Sequence, residues 1–432
     1  MQIKLPSLLM LGLSTLFSQT LVELNTIGLK KSYKLKSFDY QVQSQHYNTK
    51  QAKDQYFPTL NINLQYGKDK YEYHYPSRKI KYNNNITAYS INLSQPIYEP
   101  QILSMIKDNE LKLNYTKIQK AQYKQALLKE ISTAYIDAIT YKKMLNIYIL
   151  RENNYYNIKE TISKKLQVRL ATIPDYYQSN ANYIAAKNDT IHTKLYLNNL
   201  IKKLLYLTHT EVKIPRSKIT DKIDEILAAK TFDESNINNN PTLKLYKTNV
   251  KIAKNQISYK KDQTMPTVGL SASYSDTHSS DSITKRNESR ITLNVNIPVF
   301  NKPKNDAIDA AKELYQSAKF DYLDQLNNIK ISLQETISNI KQYIQIIKKD
   351  KEVITSRKKF LDKQKIGYNN KLISLTDLYD AQNDYFNALL QFEKDKGELL
   401  KNYIAYLNLK GDLTLKSIKQ IQILIKDDNG NN

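Results

Sequence analysis

The side chains in this sequence that could do chemistry lie in two short acidic stretches. The stretch GYNNKLISLTDLYDAQ holds Asp377 and Asp380, and RLATIPDYYQSN, about two hundred residues earlier, holds Asp175. Asp377 and Asp380 are three residues apart, so in a helix their carboxylates share one face, one turn apart. The position that corresponds to Asp380 in the earlier stretch is Gln178. A pair of acids on one face can gather cations, and only the second stretch has it.

A structural role for these acids has to be weighed against a chemical one. Thr172 precedes Asp175 by three positions, and Ser374 precedes Asp377 by three. Ser or Thr followed three residues later by an acid predicts a capping box at a helix N-terminus, where an acid also suits the helix dipole. Capping therefore explains the two acids that are shared, and leaves Asp380 unexplained.

Catalytic and metal-binding patterns are missing from the sequence. The five histidines are scattered without the spacing of metal ligands, and neither a G-x-S-x-G motif nor a Gly-rich phosphate loop occurs. We therefore expect no enzyme activity, no catalytic residues, no metal and no cofactor.

Composition excludes several classes of protein. The 432 residues include 34 Tyr but only 8 Gly, with no Cys and no Trp. The formal charge of +23 comes from Lys spread along the chain between Asp and Glu, as on solvated helix faces. A nucleic-acid-binding protein would cluster its basic residues on one face or arm, so we expect no nucleic-acid partner.

The N-terminus is typical of an exported protein. One Lys is followed by an apolar run from Leu8 to Phe17 and then by small and polar residues. This run is too short for a spanning helix and predicts a signal peptide over 1–18, the alternative being a buried N-terminal helix. Without Cys the chain cannot carry a lipid on an N-terminal cysteine, so we expect an exported chain that is not lipidated.

An internal duplication organises the chain. Proline residues that flank short alternating segments recur after 208 and 202 residues, and the acidic element recurs after 202. A collinear repeat explains all three offsets. The matching positions are Pro58 and Pro266, Pro96 and Pro298, and Asp175 and Asp377.

Four short segments predict β-strands with one apolar and one neutral polar face. They alternate strictly, and their polar faces hold Asn, Ser and Thr with hardly any charge, which is the pattern of a transmembrane barrel strand. Four strands cannot close a barrel, so either several chains contribute four each or the strands form a soluble sheet. We expect KDKYEYHYPSRKIKYNNN and DTHSSDSITKRNE to be exposed loops. The segments are TLNINLQYG, AYSINLSQP, TVGLSASYS and SRITLNVNIP.

Each predicted hairpin is followed by a very long helix. Neither Gly nor Pro occurs from Gln101 to Ile173, or from Lys304 to Ile366. In the second of these stretches the apolar residues recur at about 3.6 positions, the period of a straight α-helix. A helix of about 62 residues at ~1.5 Å each extends roughly 90 Å, so we expect a coiled-coil-like rod.

These patterns give the domain plan. We expect a first repeat at 19–208, a mid-height equatorial segment at 209–240, a second repeat at 241–410 and a C-terminal equatorial tail at 411–432. Each repeat holds a short helix, a hairpin, a long helix and a return helix. The hairpins are expected near 58–96 and 266–298, the long helices near 101–171 and 304–370, and the return helices near 175–208 and 376–410.

In this order and spacing, the motifs resemble the TolC-type outer-membrane efflux protein family, the outer membrane factors. The resemblance covers essentially the whole mature chain. It rests on the duplicated layout, on YFPTLNINLQYG and QTMPTVGLSASY, on INLSQPIY and LNVNIPVF, and above all on GYNNKLISLTDLYDAQNDYFNA followed by YIAYLNLKGDL.

The resemblance implies an α+β membrane protein. Three chains, with four strands each, would form a homotrimeric 12-stranded outer-membrane β-barrel that continues into a long periplasmic α-helical barrel. Such a protein is a passive exit channel of a tripartite efflux pump or a type I secretion system. Its partners would be outer-membrane lipid, a periplasmic adaptor (membrane fusion) protein and an inner-membrane transporter of the RND or ABC type.

The resemblance also implies a gate at the periplasmic aperture. In a threefold channel, Asp377 and Asp380 would form two stacked rings of carboxylates, as in cation-selective pores. The family usually has a basic residue in this network where the present chain has Ile373, and the nearest basic candidates are Lys371 and Arg169. The full set of expected gate residues is Asp377, Asp380, Tyr368 and Asp175, supported by Lys371 and Arg169.

The apolar residues in front of each acid lie at predicted helix–helix turns. They could be buried parts of the caps, or, because the turns point into the periplasm in this architecture, a docking surface for the adaptor. The residues concerned are Leu170, Ala171, Thr172, Ile173, Leu372, Ile373, Ser374 and Leu375.

Two other functions fit parts of the sequence. A surface-anchored structural or adhesive stalk would use the long helices, but it has no need of four lipid-compatible strands. A general porin would use the strands, but it has no need of the helices. The substrate, the choice between efflux and secretion, and the identity of the pump and adaptor are not encoded in any of these patterns.

Overall fold

A computed structural model describes residues 19–280 and 286–427, apart from the side chains of Tyr71, Tyr82 and Asp427. The predicted signal peptide, residues 1–18, lies outside the described residues. Within the described residues, no helix combines the length and apolar character needed to cross a membrane. The chain divides into two compact units, the first made of Met1–Lys36, Ala121–Pro241 and Asn327–Asn432, the second of Ser37–Lys120 and Thr242–Leu326.

The described residues form helices and strands in the order expected of a duplicated chain. The helices are α1 (Leu21–Lys31), α2 (Tyr33–Asp54), α3 (Pro100–Gln167), α4 (Ile173–Thr208), α5 (Ile223–Ala228), α6 (Pro241–Asp262), α7 (Lys302–Asn369), α8 (Leu375–Lys410) and α9 (Leu415–Gln422). The strands are β1 (Thr59–Tyr75), β2 (Arg78–Tyr98), β3 (Ser217–Ile219), β4 (Thr267–Ser279), β5 (Arg286–Asn296) and β6 (Ile425–Asp427).

Helices of equal length recur in the two repeats. Each of α3 and α7 has 68 residues, and each of α4 and α8 has 36. The absence of Gly and Pro over most of α3 and α7 removes the usual causes of a helix break. The two compact units cut across the two repeats, because each unit takes segments from both.

The second unit is built on a four-stranded antiparallel sheet in the order β1-β2-β4-β5. Leu64 pairs with Tyr89, and Leu270 pairs with Leu293. The apolar face predicted from the alternation is exposed in this single chain: Leu64 is 82% exposed. Strands β1 and β5 are the two edges of this sheet and leave unpaired backbone groups.

One expected loop is a pair of strands instead. The prediction that KDKYEYHYPSRKIKYNNN is a loop was wrong, since β1 and β2 continue through it and pair up to Tyr75 and Arg78. Tyrosine favours extended backbone, and here it alternates with polar residues, so the segment satisfies the strand period as well.

Within the second unit, polar contacts hold helices α2 and α6 to the first part of α3. Gln45 Nε2 donates to Asn109 Oδ1 at 3.1 Å, and Gln256 Nε2 donates to Asp108 Oδ1 at 2.8 Å. Ser104 also donates to the Asp262 carboxylate.

The first unit joins the remaining helices to a small sheet. Strands β3 and β6, from the two predicted equatorial segments, pair with Ser217 opposite Asp427 and Ile219 opposite Ile425. Lys396 of α8 is completely buried beside this sheet, and its Nζ donates to Asp221 at 2.6 Å. Gly411 ends α8 at φ 80°, where a Cβ would lie 2.4 Å from the Asn239 backbone, so this position requires glycine.

Candidate functional site

Both acidic elements form complete capping boxes, as their spacing predicted. At the start of α8, the Ser374 hydroxyl donates to Asp377 Oδ2 at 2.7 Å, and the Asp377 backbone N–H donates back to Ser374 Oγ at 3.1 Å. At the start of α4, Thr172 Oγ1 donates to Asp175 Oδ2 at 2.7 Å, and the Asp175 N–H donates back at 3.3 Å. The prediction of two capping boxes is therefore confirmed.

The caps also set the charge of these acids. The hydroxyl and then the backbone N–H of Ser374 hold the pKa of Asp377 below its usual value, because they donate hydrogen bonds to the ionised form. Thr172 lowers the pKa of Asp175 in the same way. Both carboxylates therefore stay negative at neutral pH.

Asp380 differs from Asp377 because it takes no part in the capping box. Its side chain is exposed on α8, and it forms no ion pair or hydrogen bond among the residues that the structure describes. Burial chiefly raises the pKa of the nearby Tyr155 hydroxyl, and the negative charge of Asp380 adds to that effect. Asp380 is thus a free carboxylate one helical turn above the capped Asp377.

The two helix–helix turns have the same backbone structure. Arg169 and Lys371 each take the left-handed conformation, with φ of 57° and 60°. The next N–H closes the turn, from Leu170 to Lys165 O at 2.7 Å and from Leu372 to Gly367 O at 2.8 Å. This is the hydrogen-bond pattern of a Schellman C-cap.

The structure assigns the two predicted basic gate candidates a place at these C-caps. Arg169 and Lys371 are exposed, and neither forms an ion pair among the described residues. A cation at a helix C-terminus interacts favourably with the helix dipole. This shared C-cap conformation accounts for the equivalent positions of Arg169 and Lys371 in the two repeats. It does so without any gate contact inside one chain.

The apolar residues at the turns separate into exposed and buried sets. Leu170 and Ile173 are 72% and 61% exposed, and Leu372 is 77% exposed. Ala171 packs partly buried against a core cluster, and Ile373 is half-buried beside Gly367. Leu375 is buried in the same cluster as Tyr379, so its side chain serves the core and not a surface.

Tyr368 links the end of α7 to the first repeat. Its half-buried ring packs against the cluster that contains Tyr155 and Tyr379 and against the cluster that contains Leu378, and Lys165 Nζ lies 5.3 Å from the ring centroid. Burial raises the pKa of the Tyr368 hydroxyl, and the charge of Asp175 raises it further. The predicted gate residues Tyr368 and Asp175 therefore lie within electrostatic reach of each other.

Two further contacts tie the repeats together near the acids, and neither was predicted from the sequence. Gln178 Nε2 of α4 donates to Thr376 Oγ1 of α8 at 3.0 Å. The sequence signal for this contact is the residue type of Gln178, which is an amide at the position equivalent to the acid Asp380.

The second contact centres on Arg151 of α3. Its Nη2 donates to Asn383 Oδ1 of α8 at 2.7 Å, and Tyr155 Oη donates to the same oxygen at 2.7 Å. Arg151 also pairs with Asp189 of α4 at 3.4 Å. In the sequence, Arg151 is the only basic residue between Ile147 and Tyr155, but this signal does not identify Asn383 as its partner.

An open cleft of about 300 Å³ lies beside Tyr368, lined by residues of α3, α7 and α8. Its lining includes Asn157, Thr161 and Gln382. The buried Oε1 of Gln382 has no hydrogen-bond partner among the described residues.

Comparison with known proteins finds matches in sequence and in fold. A sequence profile described as outer membrane efflux protein matches residues 234–411. Outer membrane protein TolC of Escherichia coli (strain K12) is 22% identical over 355 residues, covering 77% of this chain and 70% of TolC.

Solved structures share the fold. The crystal structure of CusC superposes with a TM-score of 0.81 at 14% identity, covering 91% of this chain and 92% of CusC. The CmeC outer membrane channel of Campylobacter jejuni gives 0.79 at 15% identity, covering 94% and 90%. The chain is thus similar to outer membrane efflux proteins in the sequence of its second repeat and in its fold. The family match contains α8 with Asp377 and Asp380, whereas Asp175 lies outside the matched residues.

Proposed function

We propose that this protein is a member of the outer membrane efflux protein family and an outer-membrane exit channel, which passively conducts drugs or other exported substrates out of the cell. The four-stranded sheet supports this proposal, because it has two open edges and an exposed apolar face. Three copies would supply the twelve strands of one closed barrel in outer-membrane lipid, with the turns of α3–α4 and α7–α8 in the periplasm.

The observation that carries the gate is the position of Asp380. It is an exposed, unpaired carboxylate one turn from Asp377, whose own charge the cap preserves. In a threefold assembly, these acids would form two stacked anionic rings that narrow the periplasmic aperture and favour cations. Asp175 and Tyr368 would lie in the next layer of this proposed gate.

Contacts inside one chain would hold the aperture closed. Arg151 bonds to Asn383, and Gln178 bonds to Thr376, so α3 and α4 are tied to α8. Opening requires the ends of these helices to separate. Arg169 and Lys371 remain candidates for contacts between copies, since their charges are exposed and unpaired within the described residues.

The proposed partners follow from the turns. Leu170, Ile173 and Leu372 form an exposed apolar rim at the helix ends, suited to the tips of a periplasmic adaptor. The adaptor would connect the channel to an inner-membrane transporter of the RND or ABC type, for drug efflux or type I secretion. The protein itself would need no cofactor and catalyse no reaction.

Single-channel recording tests the gate. In planar bilayers we expect the wild type to conduct poorly, and Asp377→Asn with Asp380→Asn to raise the conductance and lower the cation selectivity. Glu313→Gln, which removes an exposed acid elsewhere on α7, is the matched control and should change neither property. If the double variant has wild-type conductance and selectivity, the gate assignment is wrong.

A cellular assay tests the function. Deleting the gene should increase sensitivity to toxic compounds or abolish release of an exported protein, and a plasmid copy should restore the lost property. A deletion strain with unchanged drug sensitivity and unchanged secreted proteins would contradict the exit-channel proposal and favour a stalk.

A further inference from the structure

The hairpin of β1 and β2 is longer than a membrane crossing requires. β1 has 17 residues and β2 has 21, whereas β4 has 13 and β5 has 11. A strand that crosses a bilayer needs about 9–11 residues. Counted from Thr59, a crossing of this length ends near Lys68. In the proposed channel, the part of the hairpin from Lys68 to its turn after Tyr75 would therefore lie at and beyond the lipid headgroups.

The alternation of the two faces continues into this outer part of the hairpin. β1 and β2 pair in one unbroken register from Thr59 to Tyr75. Directly opposite residues of an antiparallel pair share a face, and so does every second residue along a strand. The face that holds Leu64 and Tyr66, which are 82% and 79% exposed, therefore continues outward. Its outer residues are Lys68, Lys70, Glu72 and His74 on β1, and Lys79, Lys81, Asn83 and Asn85 on β2.

We call the outer part of this face the lysine face, after Lys68, Lys70, Lys79 and Lys81. With its one glutamate, and with His74 neutral, it carries three net positive charges. Lys81 lies 3.8 Å from Glu72, whereas the other three lysines are exposed and form no ion pair among the described residues. Lys70 and Lys81 are diagonal cross-strand neighbours, ~7–8 Å apart. Like charges this close repel one another, so an anion bound between them is favourable.

The opposite face of the same hairpin has no such excess of charge. Among its described side chains beyond Gly67, Asp69 and Arg78 contribute one charge of each sign. Arg78 lies 5.8 Å from the centroid of the Tyr75 ring, which itself lies 6.4 Å from the ring of Tyr73. Lysines that only prevented edge-to-edge pairing of strands could lie on either face. Their confinement to the apolar side indicates a ligand on that side.

The hairpin of the second repeat does not share these lysines. On β4 the same face ends in Asp276 and His278, with His278 Nδ1 3.1 Å from Asp276 Oδ1. Tyr89 of β2 also donates to Asp276, at 2.9 Å. These polar groups contact one another within the sheet. Within the part of the sheet that the structure describes, the basic surface therefore belongs to the first hairpin.

We propose that the lysine face binds the phosphorylated headgroup of an outer-leaflet lipid, whose acyl chains lie against Leu64 and Tyr66. A lysine ammonium binds phosphate as a point charge. A free phosphate ion would need only the lysines, whereas an amphiphile also needs the apolar residues that adjoin them on the same face. This proposal deepens the proposed channel by naming the lipid chemistry at its outer rim, and it rests on the sheet lying in the outer membrane.

Lipid binding by the purified protein tests the proposal. The protein in mild detergent is titrated with diphosphoryl lipid A, and the bound lipid is counted by native mass spectrometry. A lysine near an anionic lipid surface contributes about fivefold in affinity, so the triple variant Lys68→Gln, Lys70→Gln and Lys79→Gln should bind about a hundredfold more weakly than the wild type.

The matched control removes three exposed lysines of α7, in the other compact unit. This variant, Lys358→Gln with Lys359→Gln and Lys363→Gln, has the same net charge as the test variant and should bind lipid A as the wild type does. Equal affinities for the wild type and the test variant, or equal losses in the test and control variants, would overturn the proposal.

Competition identifies the source of the phosphate. Inorganic pyrophosphate supplies phosphate charge without acyl chains, so at equal concentration it should displace far less lipid A than unlabelled lipid A does. Phosphatidylcholine, whose headgroup has no net charge, should also displace little. Displacement by pyrophosphate as efficient as by lipid A would overturn the assignment to a lipid and leave a simple anion site.

Membrane fractionation separates this proposal from the proposed function. A wild-type protein that is absent from the outer-membrane fraction would contradict the channel, and this inference with it. A wild-type protein that is present in that fraction, but binds no lipid A, would reject only the lysine face. A test variant that reaches the outer membrane with its lipid A binding lost would support the proposal, because the loss could not then arise from misfolding.

Discussion

Gln178 Nε2 lies 3.0 Å from Thr376 Oγ1, which joins the acidic elements of the two repeats. Gln178 occupies the position equivalent to Asp380, so the duplicated helix uses one copy of this position for a contact inside the chain and leaves the other exposed. The amide is suited to the contact because it donates a hydrogen bond, which a carboxylate cannot do.

Removing this contact should favour the open channel. A neutral hydrogen bond contributes about 1 kcal/mol, so Gln178→Ala should raise the open-to-closed ratio roughly fivefold per subunit, measured as open probability in bilayers. Thr376→Val removes the other partner and should have the same effect. The two changes together should have no more effect than either alone, and additive effects would show that the bond does not restrain opening.

Capping and charge can be separated at the start of α8. Ser374→Ala removes the hydroxyl that caps the helix but keeps the Asp377 carboxylate, so it should cost about 1 kcal/mol of stability and leave cation selectivity nearly unchanged. Asp380→Asn should lower the cation selectivity and leave the stability nearly unchanged. The measurements are thermal unfolding and the reversal potential in a KCl gradient, and a loss of selectivity in Ser374→Ala would place the cap itself in the gate.

Arg151 should be the strongest restraint on opening that the structure describes. Arg151→Ala removes the bonds to Asn383 and Asp189, and a hydrogen bond that involves a charged group contributes about 1.5 to 3 kcal/mol. We expect a larger rise in open probability than for Gln178→Ala. Arg216→Ala, at another basic position of the same unit, is the control and should leave the open probability unchanged.

The sequence was sufficient for the features that depend on local patterns. Strand alternation, the capping boxes at Thr172 and Ser374, and the long helices follow from periodicity and spacing within a few residues. The Arg151–Asn383 contact could not be predicted, because it joins residues 232 positions apart whose closeness depends on how α3 packs on α8.

The sequence also could not predict which residues at the turns are buried. Leu372 and Leu375 are both leucines at the same turn, but one is 77% and the other 6% exposed. The difference arises because Leu375 is the first residue of α8 and faces Tyr379 one turn on, whereas Leu372 follows the left-handed residue Lys371 and points away from the core.

Lys396 should be a sensitive point for stability. Its buried ammonium donates to Asp221 at 2.6 Å and to Glu393 at 3.0 Å. Lys396→Ala removes the cation that is hydrogen-bonded to the buried Glu393, and breaking a buried pair from one side costs about 3–5 kcal/mol. We expect a clear fall in the unfolding temperature, partly recovered when Glu393→Gln removes the unpaired charge, and no recovery would show that lost packing is the whole cause.

The pH dependence of the gate should report the cap on Asp377. Hydrogen bonds from Ser374 lower its pKa in the folded protein, so the stabilisation from its charge is present above the unfolded pKa of about 3.9 and is lost as the pH falls through the lower folded value. In an Asp380→Asn background, the remaining cation selectivity should therefore persist at pH values where an ordinary aspartate is half protonated. Adding Ser374→Ala should move the loss of selectivity to higher pH, measured as reversal potential between pH 7 and about 3. An unchanged midpoint would mean that Ser374 does not control the charge of Asp377 in the assembled channel.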